Sequence, residues 1–244
     1  MLEVCCGSFE DALHAHIGGA HRIELNSALH LGGLTPTVAC LRLVKKHTSF
    51  PVICMVRMRG AGFCYSDRQY EQMVEEAKVL LENGADGLAF GFLLADASID
   101  EKRTKEFVTL VHRYNKEAVF HRAFDCSTNP QKSMETLLSL QVDRLLTSGM
   151  KNTAMEGKDC IKMLQQEYGD KIEILPGSGI RTTNAKELVA YTGVSQVHSS
   201  CKAWQEDPTT ITHVSYSYHN GAHESDYDIV SVEEVSALVD TLCK

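Results

Sequence analysis

The chain has no excess of basic residues, no CxxC pair, and no apolar run approaching the roughly 20 residues that span a bilayer. Each absence removes a class of function. Lys and Arg number 24 against 32 Asp and Glu, a net charge of −8. Nonspecific nucleic-acid or anionic-membrane binding needs basic patches, so neither partner is expected. Without a CxxC pair, a zinc ribbon or a thioredoxin motif is not expected. The first residues, Leu2-Glu3-Val4-Cys5-Cys6, read as a strand rather than as the basic segment and apolar stretch of a signal peptide. The nine cysteines are odd in number and scattered, and Cys5, Cys6 and Cys54 lie in apolar, strand-like runs. That fits a reducing compartment better than a disulfide framework, so a cytoplasmic protein is expected. Linkers, repeats and low-complexity tracts are also missing. The 244 residues read as one soluble domain, close to the ~250 of a barrel of eight strands and eight helices.

What is present is an alternation. Strand-like runs fall at 2–6, 21–26, 51–57, 86–92, 117–123, 142–147, 171–176 and 195–199, with helical patterns near 8–18, 37–47, 67–83, 101–115, 130–140, 154–168 and 182–192. Strands alternating with helices of this length imply βαβ units and a parallel sheet. Eight units are the number that closes a (β/α)8 TIM barrel with no sheet edge; an open doubly wound sheet is the alternative. Ser8, Asp67 and Thr182 are N-cap candidates, Pro130 suits a first helical position, and Gly18-Gly19, Gly84 and Gly193 suit helix ends. Residues 201–230 are polar and without periodicity, and read as a long loop before a last helix at about 231–243. Long loops in compact domains are usually functional or disordered.

Side chains alternate faces along a strand, which sets the phase. In strand two Ile23 and Leu25 share one face, so Arg22, Glu24 and Asn26 point into the barrel. The same argument turns Glu3 and Cys5 inward in strand one, Met55 and Arg57 in strand three, His121 in strand five and His198 in strand eight, with Asp125 two steps past Ala123. Glu3 and Glu24 on neighbouring strands cannot both ionise cheaply, so one carries a raised pKa or pairs with a cation; Arg22 and Arg57 are the nearest. The layer is open to two readings, a salt-bridge layer filling the barrel or an acid/base or metal-binding set.

Strand seven ends in Pro176-Gly177-Ser178-Gly179 and strand six in Thr147-Ser148-Gly149. Glycine-rich turns let N–H groups approach an anion, and barrels often bind phosphate on the loops after strands seven and eight. Ser148, Gly149, Gly177, Ser178, Gly179 and His198 are therefore candidate anion contacts; a tight turn that simply needs glycine explains the same residues. No lysine stands at the carboxyl end of a predicted strand, Lys151 and Lys202 both lying past the ends. This argues against Schiff-base chemistry. The residues support acid/base chemistry, of lyase or isomerase type, on a small anionic or phosphorylated substrate. Catalysis would use Glu3, Glu24, Arg57, His121 and Asp125, with Arg57 and the strand-seven turn holding the anion and His121 and Glu24 exchanging protons.

Several stretches together are distinctive. They are Met1-Leu2-Glu3-Val4-Cys5-Cys6, Arg22-Ile23-Glu24-Leu25, Gly32-Gly33-Leu34-Thr35-Pro36, Met55-Val56-Arg57-Met58-Arg59-Gly60, Phe120-His121-Arg122-Ala123-Phe124-Asp125, Leu145-Leu146-Thr147-Ser148-Gly149 and Leu175-Pro176-Gly177-Ser178-Gly179. In this order they resemble the CutC copper-homeostasis family over about residues 1–200. The resemblance implies a TIM barrel, cytoplasmic and also nuclear residence, homo-oligomers, and Cu(I) binding through cysteine, here Cys5. Where the family commonly has cysteine after I-E-L, this chain has Asn26, and Met58-Arg59-Gly60-Ala61 replaces P-R-G-G. Cu(I) prefers soft sulfur ligands. An amide at position 26 removes the second thiolate, and Cys6 faces the other way, which leaves Met55 as a weak second sulfur.

Overall fold

The computed structural model describes residues 1–218 and 220–243. The predicted alternation appears as β1 (Leu2–Cys6), α1 (Phe9–Ile17), β2 (Arg22–Leu25), α2 (Val38–His47), β3 (Val52–Met55), α3 (Asp67–Glu82), β4 (Gly87–Phe90) and α4 (Glu101–Arg113). It continues through β5 (Glu117–Phe120), α5 (Pro130–Ser139), β6 (Arg144–Thr147), α6 (Lys158–Tyr168), β7 (Glu173–Pro176), α7 (Ala185–Thr192), β8 (Val197–Ser199), β9 (Lys202–Glu206), β10 (Asp226–Val230) and α8 (Val232–Cys243). The first eight strands form one all-parallel sheet in the order β7-β6-β5-β4-β3-β2-β1-β8, a single (β/α)8 TIM barrel. None of the described helices is long and apolar enough to cross a membrane.

Closure is less complete than eight units imply. β7 and β8 are not joined by a hydrogen-bonded ladder. Side chains span that seam instead: Gln196 Nε2 donates to Glu173 Oε2 at 3.0 Å, and Ser199 Oγ to the Ile180 carbonyl at 2.8 Å.

Local chemistry sets the helix starts. Ser8 Oγ accepts from the Asp11 N–H at 3.0 Å, and Pro130 opens α5 behind Asn129, which accepts from the Lys132 N–H. Two predicted caps move. Ser66, not Asp67, caps α3, because Gln69 lies three residues on and returns the bond in a capping box. Thr182 caps nothing: Asn184 Oδ1 accepts from the Arg181 N–H, closing a turn over 181–184, and α7 begins after Asn184. Gly19, Gly84 and Gly193 have φ of +87°, +98° and +78°, whereas Gly18 is right-handed. β5 stops short of the predicted residue 123, because His121 Nδ1 accepts from the Ala123 N–H and starts a 3-10 turn over Arg122–Cys126.

The core lies between sheet and helices, where Phe90 packs on Phe92, Phe107 and Phe120. A smaller apolar patch of Ile53, Met55, Ala89 and Val119 fills the interior on the β3–β5 side. Elsewhere the interior combines Leu146 with the polar side chains of Glu3, Arg22, Glu24 and His198.

The segment 201–230 differs most from expectation. β9 and β10 pair antiparallel from Lys202↔Val230 to Glu206↔Asp226, so the two ends of the expected long loop form a hairpin. The intervening polar residues hide the pairing from any local pattern. Asp11 Oδ1 accepts from the Val230 N–H and His14 Nδ1 contacts the Val230 carbonyl, both at 2.8 Å, which anchors the hairpin to α1.

Candidate functional site

Strand register builds the site. β1 and β2 place Glu3 beside Arg22 and Cys5 beside Glu24, and β1 and β8 place Glu3 beside His198. Paired residues of a parallel sheet share a face, so alternation plus register brings all five together inside the barrel. The Arg22 Nε donates to Glu3, and His198 Nδ1 lies 2.8 Å from the other Glu3 oxygen. Arg22 also donates to Gln196 Oε1 at 2.8 Å. This part is a buried ion network.

The two carboxyls diverge. Burial pushes Glu3 up, but the His198 hydrogen bond and the Arg22 charge override it and hold the group at about 2. Glu24, also buried, has no guanidinium beside it; burial and the negative Glu3 outweigh the charge of His198 and the Asn26 hydrogen bond, and its pKa rises. Burial alone would lower His198, yet the hydrogen bond to Glu3 and the charges of Glu24 and Glu3 raise it. Burial, then Glu24, push the Cys5 thiol well up.

Cys5, Glu24 and His198 each offer a ligand atom, all within 4.8 Å of one another. Asn26 Nδ2 donates to Glu24 Oε2 at 2.9 Å and to Cys5 Sγ at 3.4 Å. This trio forms the floor of a cavity of about 730 Å³. Arg57, Phe63 and His121 line one wall, Ser178, Gly179 and Ile180 the other, and Lys202, Trp204 and Asp228 of the hairpin the rim. A volume between roughly 300 and 1,000 Å³ is that of a small-molecule pocket.

Other predicted residues behave differently. Arg57 pairs with neither carboxylate. Its Nη1 donates to the carbonyls of Leu31, Gly32 and Gly33 at 3.0–3.2 Å and its Nη2 to Ala61 at 2.6 Å. The turn after β2 reaches it first. His121 is 3 % exposed, and burial, then the Arg57 charge, hold it down at about 3. With Nδ1 accepting from Ala123, the neutral ring carries its proton on Nε2, so it is a donor rather than a base. Asp125 is absent from the cavity lining. It accepts from Thr147 Oγ1 at 2.5 Å, from the Ser148 and Met150 N–H groups at 2.9 and 3.1 Å, and from Arg122 Nε at 2.9 Å. The Ser148 amide is thereby occupied, as are those of Gly149 and Gly177, which donate to Thr147. Ser178, Gly179 and His198 do line the cavity.

The hairpin's contribution has no periodicity in the sequence to mark it. Lys202 lies past strand eight yet reaches the rim, where it pairs with Asp228 at 3.1 Å and stays 38 % exposed. Such an amine is not desolvated for Schiff-base chemistry.

Fold and site together define a TIM-barrel protein with a cavity at the carboxyl ends of its strands, floored by titratable side chains. The sequence model of the CutC family matches residues 1–203. The chain is 43% identical over 243 residues to a family protein CutC of Treponema denticola, covering 99% of this chain and 98% of that one. It is 35% identical to the human copper homeostasis protein cutC homolog, covering 98% and 88%. A solved CutC structure from Streptococcus agalactiae superposes with TM-score 0.77 at 28% identity, covering 82% of this chain and 98% of that one. This chain belongs to the CutC family.

The family implies copper, and the floor residues can be tested against it. Cys5 and His198 are a sulfur and a nitrogen donor suited to copper, and Glu24 adds an oxygen. Met55 lines the same cavity. The set fits one copper ion, though without the pair of thiolates that Cu(I) favours.

Proposed function

We propose that this copper-homeostasis family member works by binding one copper ion, taken up as Cu(I), at the cavity floor through Cys5 and His198, with Glu24 as third donor. The observation that carries the reading is the convergence of these three ligand atoms within 4.8 Å. The three groups all have raised pKa values. Copper therefore displaces protons, and its affinity rises with pH. The nine free cysteines support residence in a reducing compartment, the cytoplasm, and the exposed Val214, Tyr216 and Tyr218 support assembly into a homo-oligomer.

Titration of the reduced protein with Cu(I) against a competing chelator tests this reading. It predicts about one ion per chain, and at least about tenfold weaker retention, worth 1.4 kcal/mol, in Cys5→Ser. Retention unchanged in Cys5→Ser would sink the site. A second reading is favoured by the opposite shifts of Glu3 and Glu24, a pattern that separates acid from base. In it, Glu24 acts as a proton donor to a small anionic substrate.

A further inference from the structure

We propose that the turn after β7 binds an oxyanion carried by a small metabolite, a phosphate ester or a carboxylate. Two neighbouring turns have one design, and the protein has filled only the first. In the turn after β6, Gly149 and Met150 take consecutive positive φ values of +68° and +63°. The carboxylate of Asp125 sits in it, accepting from the N–H groups of Ser148 and Met150. In the turn after β7, Ser178 and Gly179 take φ of +79° and +70°. Here no side-chain carboxylate enters, and the N–H groups of Ser178, Gly179 and Ile180 have no acceptor among the described residues. Successive N–H groups in such conformations make an anion-binding concavity. A left-handed backbone is costly for serine, so the conformation is maintained at Ser178 against its local preference.

A second observation points the same way. Arg57 is 6 % exposed and lines the same cavity; its side chain meets carbonyls and the Phe63 ring but no carboxylate among the described residues, and its Nε has no hydrogen-bond partner among them. A buried charge is costly without a counter-charge. Arg181, which follows the turn directly, also lines the cavity. An oxyanion entering from the mouth would satisfy the three amides and bring negative charge into a cavity that Arg181 lines beside the turn and Arg57 lines from the facing wall. The site is separate from the metal-binding floor and does not require copper.

Amide NMR on metal-free protein with EDTA tests it, with inorganic phosphate, ribose 5-phosphate and pyruvate as probes. The amides of Ser178, Gly179 and Ile180 should shift and saturate, while those of Ser148 and Met150 stay in place. The tighter-binding probe of ribose 5-phosphate and pyruvate identifies the ester or the carboxylate as the source. Gly179→Asp supplies an internal carboxylate in a conformation that Asp tolerates better than most residues. It should weaken the winning probe by at least tenfold and leave copper retention unchanged. Unmoved 178–180 amides with all three probes, or full affinity in folded Gly179→Asp, would overturn the proposal.

Discussion

Replacing each interior carboxylate with its amide should give opposite results. Glu3→Gln leaves buried Arg22 and His198 without the carboxylate that each contacts. Glu3 is held at about 2 rather than 4.5. At about 1.4 kcal/mol for each tenfold change in proton affinity, that is about 3 kcal/mol of stability at neutral pH. Breaking a buried pair by removing one partner costs about 3–5 kcal/mol by an independent route, so the two agree. Because the folded pKa is depressed, this stability is present above pH 4.5 and lost as pH falls from there towards about 2. Glu24 is shifted the other way, so its ionisation costs the fold stability as pH rises above 4.5. Glu24→Gln removes that cost, and stability at pH 7 should change by less than about 1 kcal/mol or increase. Urea unfolding of the reduced, metal-free proteins at pH 7 and pH 4 measures both. The reasoning is refuted if Glu24→Gln costs as much as Glu3→Gln, or if the Glu3→Gln deficit does not shrink at pH 4.

Asp125→Ala should lose about 2–4 kcal/mol, since it strands two buried-turn amides and the partner Arg122; formate should restore part of the loss in thermal melts, and no rescue would mean that the turn holds no anion. Phe90→Ala should cost about 3–5 kcal/mol because Phe90 is fully buried among three other rings, as read from the urea midpoint. Alkylation at pH 8 followed by mass spectrometry should label exposed Cys64, Cys126 and Cys243 first. Cys5 should be slow, because burial and Glu24 keep it a thiol and the thiolate is the reactive form; Cys5 reacting as fast as Cys64 would contradict its placement.

The barrel was legible because its strands are short apolar runs between amphipathic helices, and period alone locates them. The floor was legible for a related reason: inward phase follows from Ile23 and Leu25, and parallel register then puts Glu3, Cys5, Glu24 and His198 side by side. The partners of Arg57 and Asp125 were not legible in the strands. Both are captured by backbone groups of neighbouring turns, and no pattern in the strands foretells how a loop returns. The hairpin was illegible because its strands are separated by residues 207–225 and owe their pairing to Asp11 and His14 on α1. The family resemblance named copper and Cys5, but the donors beside it came from register.

X-ray absorption of the copper-loaded, reduced protein bears most directly on the central claim, that Cys5, Glu24 and His198 meet around one ion. A copper shell containing sulfur together with nitrogen or oxygen, its sulfur scattering diminished in Cys5→Ser and its nitrogen in His198→Ala, is the predicted spectrum. A shell unchanged by both substitutions would place the metal elsewhere and contradict the account.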